Sequence, residues 1–250
     1  MEPLHYVVFH PDSARQELQV EGQAIVDGQP VNWSGRVWVD DENGNEDPFV
    51  LTESWLYSYC HATQLRRSPG SDRYLTSGSV LFFCSGDEAN HKVLMCDTLF
   101  VVDHVALWPT SGNGLPEEFT PHFKNLTSDL WEKHFRFPFE GQHTGKYTYV
   151  SKTWEPEDIR YSCLPIGKEG NRVAIPFAQF KEDTRTALAK RVRGKFPVML
   201  SEQQKDEILQ KILARTKYRI VSIRTRRAML KINTQKTCRP CGKSKPHSTC

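Results

Sequence analysis

The sequence predicts an α+β fold, with a mainly antiparallel sheet body over residues 1–180 and a basic helical C-terminal appendage over residues 181–250. Three observations predict it. Two long apolar runs, residues 79–85 (SVLFFCS) and 92–107 (KVLMCDTLFVVDHVAL), flank a polar Gly-Asp-Glu-Ala-Asn turn, the pattern of two antiparallel central strands. Helical spacing behind a capping signal follows residue 181. Charge divides at the same place: residues 181–250 carry 19 Lys+Arg against 5 Asp+Glu, and residues 1–180 carry 14 against 25.

Taken in order, residues 4–9 (LHYVVF) open the chain as a strand, being rich in β-branched and aromatic side chains. Residues 16–41 alternate weakly, and strand pieces at 24–26 and 36–39 lie on either side of Asp27-Gly28, a hairpin turn signal. Residues 40–47 (DDENGNED) form an acidic loop. Leu51, Trp55, Leu56 and Tyr59 fall at helical spacing, so residues 49–65 are expected to be an amphipathic helix, ending before a basic loop at 66–73. After the two central strands comes a Pro- and Gly-rich loop at 109–121, then a short helix at 128–135. Residues 146–154 alternate as a strand. Residues 173–180 are a further strand, which Pro176 confines to an edge or a bend. Residues 182–192 read as helix. Ser201 and Gln204 form a capping box ahead of Ile208, Leu209, Ile212 and Leu213. Residues 218–223 could extend that helix or be a strand.

The composition bounds the function. A length of 250 residues fits one domain or a domain plus an appendage. No apolar run approaches the roughly 20 residues of a membrane span. The first 12 residues lack the basic and apolar regions of a secretory signal. A cytoplasmic location with reduced thiols is therefore expected. Cys60, Cys84, Cys96 and Cys163 are scattered singly, and Cys84 and Cys96 sit inside apolar runs, where burial is the ordinary role.

From Ile208 onward there are 12 basic residues and no acidic one. Such a run suits a polyanion, and nucleic acid, DNA or RNA, is the commonest, because Lys and Arg release counterions from phosphates. The candidate phosphate contacts are Lys211, Arg215, Lys217, Arg219, Arg224, Arg226, Arg227 and Lys231. The bland alternatives are a solvated helix face, or docking of the tail on the chain's own acidic half.

Cys238, Cys241, His247 and Cys250 crowd into the last 13 residues. Three thiols and one imidazole are a donor set for tetrahedral zinc, and four filled positions would make the ion structural. The arrangement resembles the Cys-Cys-His-Cys zinc knuckle of nucleic-acid-binding proteins, with later gaps of five and two residues rather than four and four. The resemblance covers the tail alone.

A second function class places an enzyme acting on a nucleotide or nucleic acid at the central strands. Strand alternation puts Asp97 and Asp103 on one face, but about 20 Å apart, too far for one catalytic pair. Asp97, in an otherwise apolar strand, is either a general base or metal ligand in a cleft, or half of a structural ion pair with Arg66, Arg67 or Arg73. Cys60 is a candidate nucleophile. Ser77-Gly78-Ser79 and Ser85-Gly86-Asp87 are turns first and anion-binding loops second. The aromatics of residues 135–154 are a base-stacking platform if exposed and core if buried, and core is favoured. A third class is a protein-partner-binding module whose basic tail grips an acidic protein.

Overall fold

The computed structural model describes residues 2–12, 15–40, 48–50, 54–58, 65, 74–86, 92–107, 147–189 and 197–227. Two sheets share the core. The first runs in the order β10-β1-β5-β6-β7-β4, where β1 is His5–Pro11, β4 Leu56–Ser58, β5 Val80–Gly86, β6 Val93–Leu107, β7 Tyr147–Ser151 and β10 Val198–Leu200. A seventh strand, β9 (Val173–Pro176), pairs with the first part of β6. The second sheet runs β3-β2-β11-β8, with β2 Arg15–Val26, β3 Gln29–Asp40, β8 Leu164–Gly167 and β11 Thr216–Arg227. Two helices complete the described fold, α1 (Glu182–Ala189) and α2 (Glu202–Leu213). Pairing is antiparallel except between β1 and β5, so the first sheet is mixed.

The central strands form where expected. Strand β5 is buried along its whole length, which explains why its sequence is continuously apolar rather than alternating. Its Leu81 and Phe83, with Phe100 and Val102 of β6, face a core shared with Leu18, Val20 and Ala24 of β2 and Ile220 of β11. Its Val80, Phe82 and Cys84 face a second core, closed by Leu188 of α1 and Ile208 and Ile212 of α2. Fully burying each such side chain stabilises the fold by about 1.5–3 kcal/mol. The two sheets are joined where Leu99 and Cys163 exchange backbone hydrogen bonds at 2.9 Å in both directions.

Strands β2 and β3, twelve residues each, form a hairpin paired along its whole length. Asp27 and Gly28 have φ of 49° and 80°, the two left-handed residues of a type I′ turn. The capping box is present: the Ser201 hydroxyl accepts from the Gln204 N–H, and the Gln204 side chain accepts from the Ser201 N–H.

One expectation changes, one holds and one open reading is decided. Residues 56–58 are strand, not helix: Trp55, Leu56 and Tyr57 are consecutive and all buried, which suits a strand covered on both faces and not a helical stripe. Strand β7 is buried at all five positions, so Tyr147 and Tyr149 are core on a strand with no solvated face. Residues 218–223 belong to β11. The region from residue 181 holds the two expected helices, yet β10 pairs with β1, and β11 lies between β2 and β8. The helix at 128–135, the loops at 40–47, 66–73 and 109–121, and residues 228–250 lie wholly or almost wholly outside the described residues. Among the described residues no helix is long and apolar enough to cross a membrane.

Candidate functional site

Both acidic residues of β6 sit at bulges. Phe83 pairs with Thr98 and Cys84 with Cys96, which leaves Asp97 as the extra residue; Val102 pairs with Ser151 and His104 with Val150, which leaves Asp103. A bulge interrupts alternation and re-aims the side chain, so the simple one-face placement of the two Asp does not hold. Asp103 is exposed and bonds His104 Nδ1 at 2.8 Å.

Asp97 is buried in a polar cluster. Arg172, just before β9, donates from Nε to Oδ1 and from Nη2 to Oδ2, both at 2.8 Å, and from Nη1 to Asp12 Oδ1 at 2.6 Å. Arg172 also bonds the Ser85 hydroxyl, which itself donates to Asp97 Oδ2 at 3.3 Å. Arg15 Nε lies 3.2 Å from Oδ2. The Arg172 guanidinium stands 5.7 Å from the Trp38 ring centre, a cation–π distance. Burial pushes the Asp97 carboxyl above its ordinary range, while Arg15, Arg172 and Ser85 oppose that shift. The expected ion pair is therefore built with Arg172 and Arg15; Arg66, Arg67, Arg73 and the candidate nucleophile Cys60 lie outside the described residues. Both carboxylate oxygens are engaged, as in a structural pair.

The basic residues of the C-terminal region are spread over several environments. Lys211 lies 3.8 Å from Glu207 and 5.9 Å from the Phe180 ring. Arg215 donates to the Lys211 carbonyl at 2.9 Å and to Gln179. Lys217 bonds Asp27 at 3.1 Å. Arg219 stacks 5.2 Å above Tyr161. Lys217 and Arg224 are bulge residues, skipped in the pairing with β8 and β2 respectively, and Arg224 is exposed. The side chains of Arg226 and Arg227 lie outside the described residues, as do Lys231 and all four proposed zinc ligands, Cys238, Cys241, His247 and Cys250. Among the described residues no group of three or more His, Cys, Asp or Glu is placed to hold a metal. The thiols of Cys84, Cys96 and Cys163 are free and buried; burial raises Cys163 to about 12, which makes it unreactive.

Two open cavities adjoin the second sheet. One, of about 660 Å3, is lined by Trp33, Gly35, Tyr218, Gln19, Arg36 and Lys168. The other, of about 290 Å3, is lined by Trp33, Asn32, Glu21 and Arg224. Asn32, Trp33 and Ser34 are common to both. The Trp33 indole lies over Gly35, where an added Cβ would sit 2.5 Å from the ring. The Tyr218 ring is 6.3 Å from it, tilted by 45°. Sequence reading missed these residues. The one local signal is Gly35 inside a strand pattern, a mark of close approach; nothing local connects Trp33 to Tyr218.

No protein-family model, curated protein or solved structure matches the chain, so no relative supplies a role for any of these residues.

Proposed function

We propose that the protein is a nucleic-acid-associated protein of the cytosol that holds the phosphate backbone through its basic C-terminal region. The observation that carries this reading is the uninterrupted run of 12 Lys and Arg without an acid from Ile208 to the last residue. Lys211, Arg215, Lys217 and Arg219 already have partners within the chain. The larger share of phosphate affinity is therefore assigned to Arg224, Arg226, Arg227, Lys231 and the cations that follow. The division at residue 180 is retained as a division of charge, since β10 and β11 are paired into the sheets. A structural zinc on Cys238, Cys241, His247 and Cys250 belongs to the same proposal, because their donor types suit that ion. The cytosolic placement rests on the free thiols and on the reducing conditions that preserve them.

The test is oligonucleotide binding by the full chain across a salt series, followed by fluorescence anisotropy. The logarithm of affinity should fall linearly with the logarithm of salt, by about 0.7 per phosphate contact for a single strand. Replacing Lys231, Lys236, Arg239, Lys243 and Lys245 together by Gln should flatten that slope. Absence of binding at low salt would end the reading. Metal analysis should find zinc in the wild-type chain and lose it in Cys238→Ala/Cys241→Ala; a metal-free wild-type protein would remove the zinc and leave the charge argument standing.

A further inference from the structure

We propose that the two cavities flanking Trp33 form a base-binding site for single-stranded nucleic acid, in which a base stacks on the indole while the basic C-terminal region holds the phosphates. This rests on the nucleic-acid reading above and adds the strand type and the residues that receive the base.

Trp33, with Asn32 and Ser34, lines both of two open cavities, of about 660 and 290 Å3. The indole lies along its own strand over Gly35, so a planar ligand meets the edge and the face turned away from that glycine. Its position is supported from below, because Gly35 leaves room for the indole to lie along the strand. Tyr218, tilted by 45°, does not stack flat against it. Aromatic rings at a groove are what unpaired bases use for stacking, and every base has a face to offer. A duplex cannot use them, because its bases already stack on one another.

The charge of the rim favours a base over a phosphate. Arg36, Lys168 and Arg224 are set against Glu21 and Glu169, and Arg36 is itself 3.4 Å from Glu17. Gln19 and Asn32 add amides, which both donate and accept, as the edges of bases do. One cation for the phosphate, Arg224, lines the smaller cavity. Arg224 is three residues before the end of β11, about 10 Å in an extended strand. From there the remaining 23 residues bring five more cations and no acid.

The separation of roles sets the test. The full chain is titrated with a fluorescein-labelled oligo-dT, the corresponding oligo-rU and a duplex of equal length, each over a salt series. Trp33→Leu should weaken single-strand binding by about 5- to 150-fold, the range for loss of one stacked base, and leave the salt slope unchanged. Trp33→Phe should recover much of the loss. Neutralising the five Lys and Arg after residue 228 should flatten the slope instead. If Trp33→Leu folds poorly, Tyr218→Leu and the exposed-rim variant Asn32→Ala replace it, with a smaller loss, still more than twofold, at constant slope.

Single-strand affinity within twofold of wild type in these variants would overturn the base site and leave the phosphate reading intact. Duplex bound as tightly as single strand would overturn it also. Binding that strengthens when residues 228–250 are removed would mean that the chain's own tail fills the cavities, and would defeat the proposal. No binding of any oligonucleotide by the wild-type chain would defeat both readings together.

Discussion

Arg172 grips Asp97 side-on, Nε to Oδ1 and Nη2 to Oδ2, at 2.8 Å each. Bidentate pairing of this kind is strong and directional. It ties β9 to the bulge of β6, and through Asp12 it reaches the end of β1. Arg172→Met should therefore destabilise the protein by about 3–5 kcal/mol, as removal of one partner of a buried pair does. Arg172→Lys should rescue little, because an ammonium cannot reproduce the fork. Adding Asp97→Asn to Arg172→Met should recover part of the loss. Urea unfolding of these proteins and of Asp97→Asn alone measures this; independent, additive effects would show that the pair is not coupled.

Stability should fall as pH drops below about 6.5. Buried His5 accepts the Val80 N–H on Nδ1 at 3.1 Å and bonds Glu202 through Nε2 at 2.9 Å. A backbone N–H can only donate, so Nδ1 must be unprotonated. Burial lowers the His5 pKa; Glu202 and Asp206 oppose that shift, and Lys205 adds to it. The unfolded chain then takes up the proton first. The stabilisation is complete above the unfolded value and is lost as pH falls toward the folded one. Glu202, lowered to about 2 by Lys205 and His5, stays ionised throughout. The urea midpoint should drop more between pH 7.5 and 5.5 in wild type than in His5→Gln; equal drops would contradict this.

Shortening the chain should have a sharp boundary. Stopping at residue 207 removes Ile208, Ile212 and Ile220, all fully buried, and the strand between β2 and β8. Stopping at residue 227 leaves every core residue named here in place. Cooperative thermal unfolding should be lost in the first case and kept in the second. Calorimetry of the two chains decides it.

Gly22→Ala should be costly despite its size. An added Cβ would stand 1.9 Å from the Ser222 carbonyl oxygen, where backbone must move at the β11 bulge. The expected loss is at least about 1–3 kcal/mol, the range for overpacking. Gly28→Asn, at a turn with φ of 80° and nothing near the added Cβ, should cost much less, since Asn tolerates that region. Comparing the two urea midpoints tests the assignment of the close approach.

Local patterns carried much of the fold. The paired apolar runs at 79–85 and 92–107 became β5 and β6, because burial on both faces demands continuous hydrophobicity. Asp27-Gly28 became the I′ turn and Ser201-Gln204 the capping box, because these depend only on residues a few positions apart. Helical spacing misled at 56–58, where the chain is strand and Trp55, Leu56 and Tyr57 are buried in succession. The need for a partner at Asp97 was legible from its apolar surroundings. The partner was not, because Arg172 lies 75 residues away and meets it only through the β6–β9 pairing.

By itself, then, the sequence left β11 open and did not show β4, β8 or β10, but it determined β1, β5, β6, β7, β9, the hairpin, the two C-terminal helices and the basic run that favours a polyanion. Those follow from periodicity, turn chemistry and charge, which are properties of neighbouring residues. Tertiary structure alone decided where the charged and aromatic side chains point. Bulges lift Asp97, Asp103, Lys217 and Arg224 out of strict alternation, and a bulge exists only relative to a partner strand. The same holds for Trp33 and Tyr218. They are 185 residues apart in the chain, and they meet because β2 joins β3 on one side to β11 on the other.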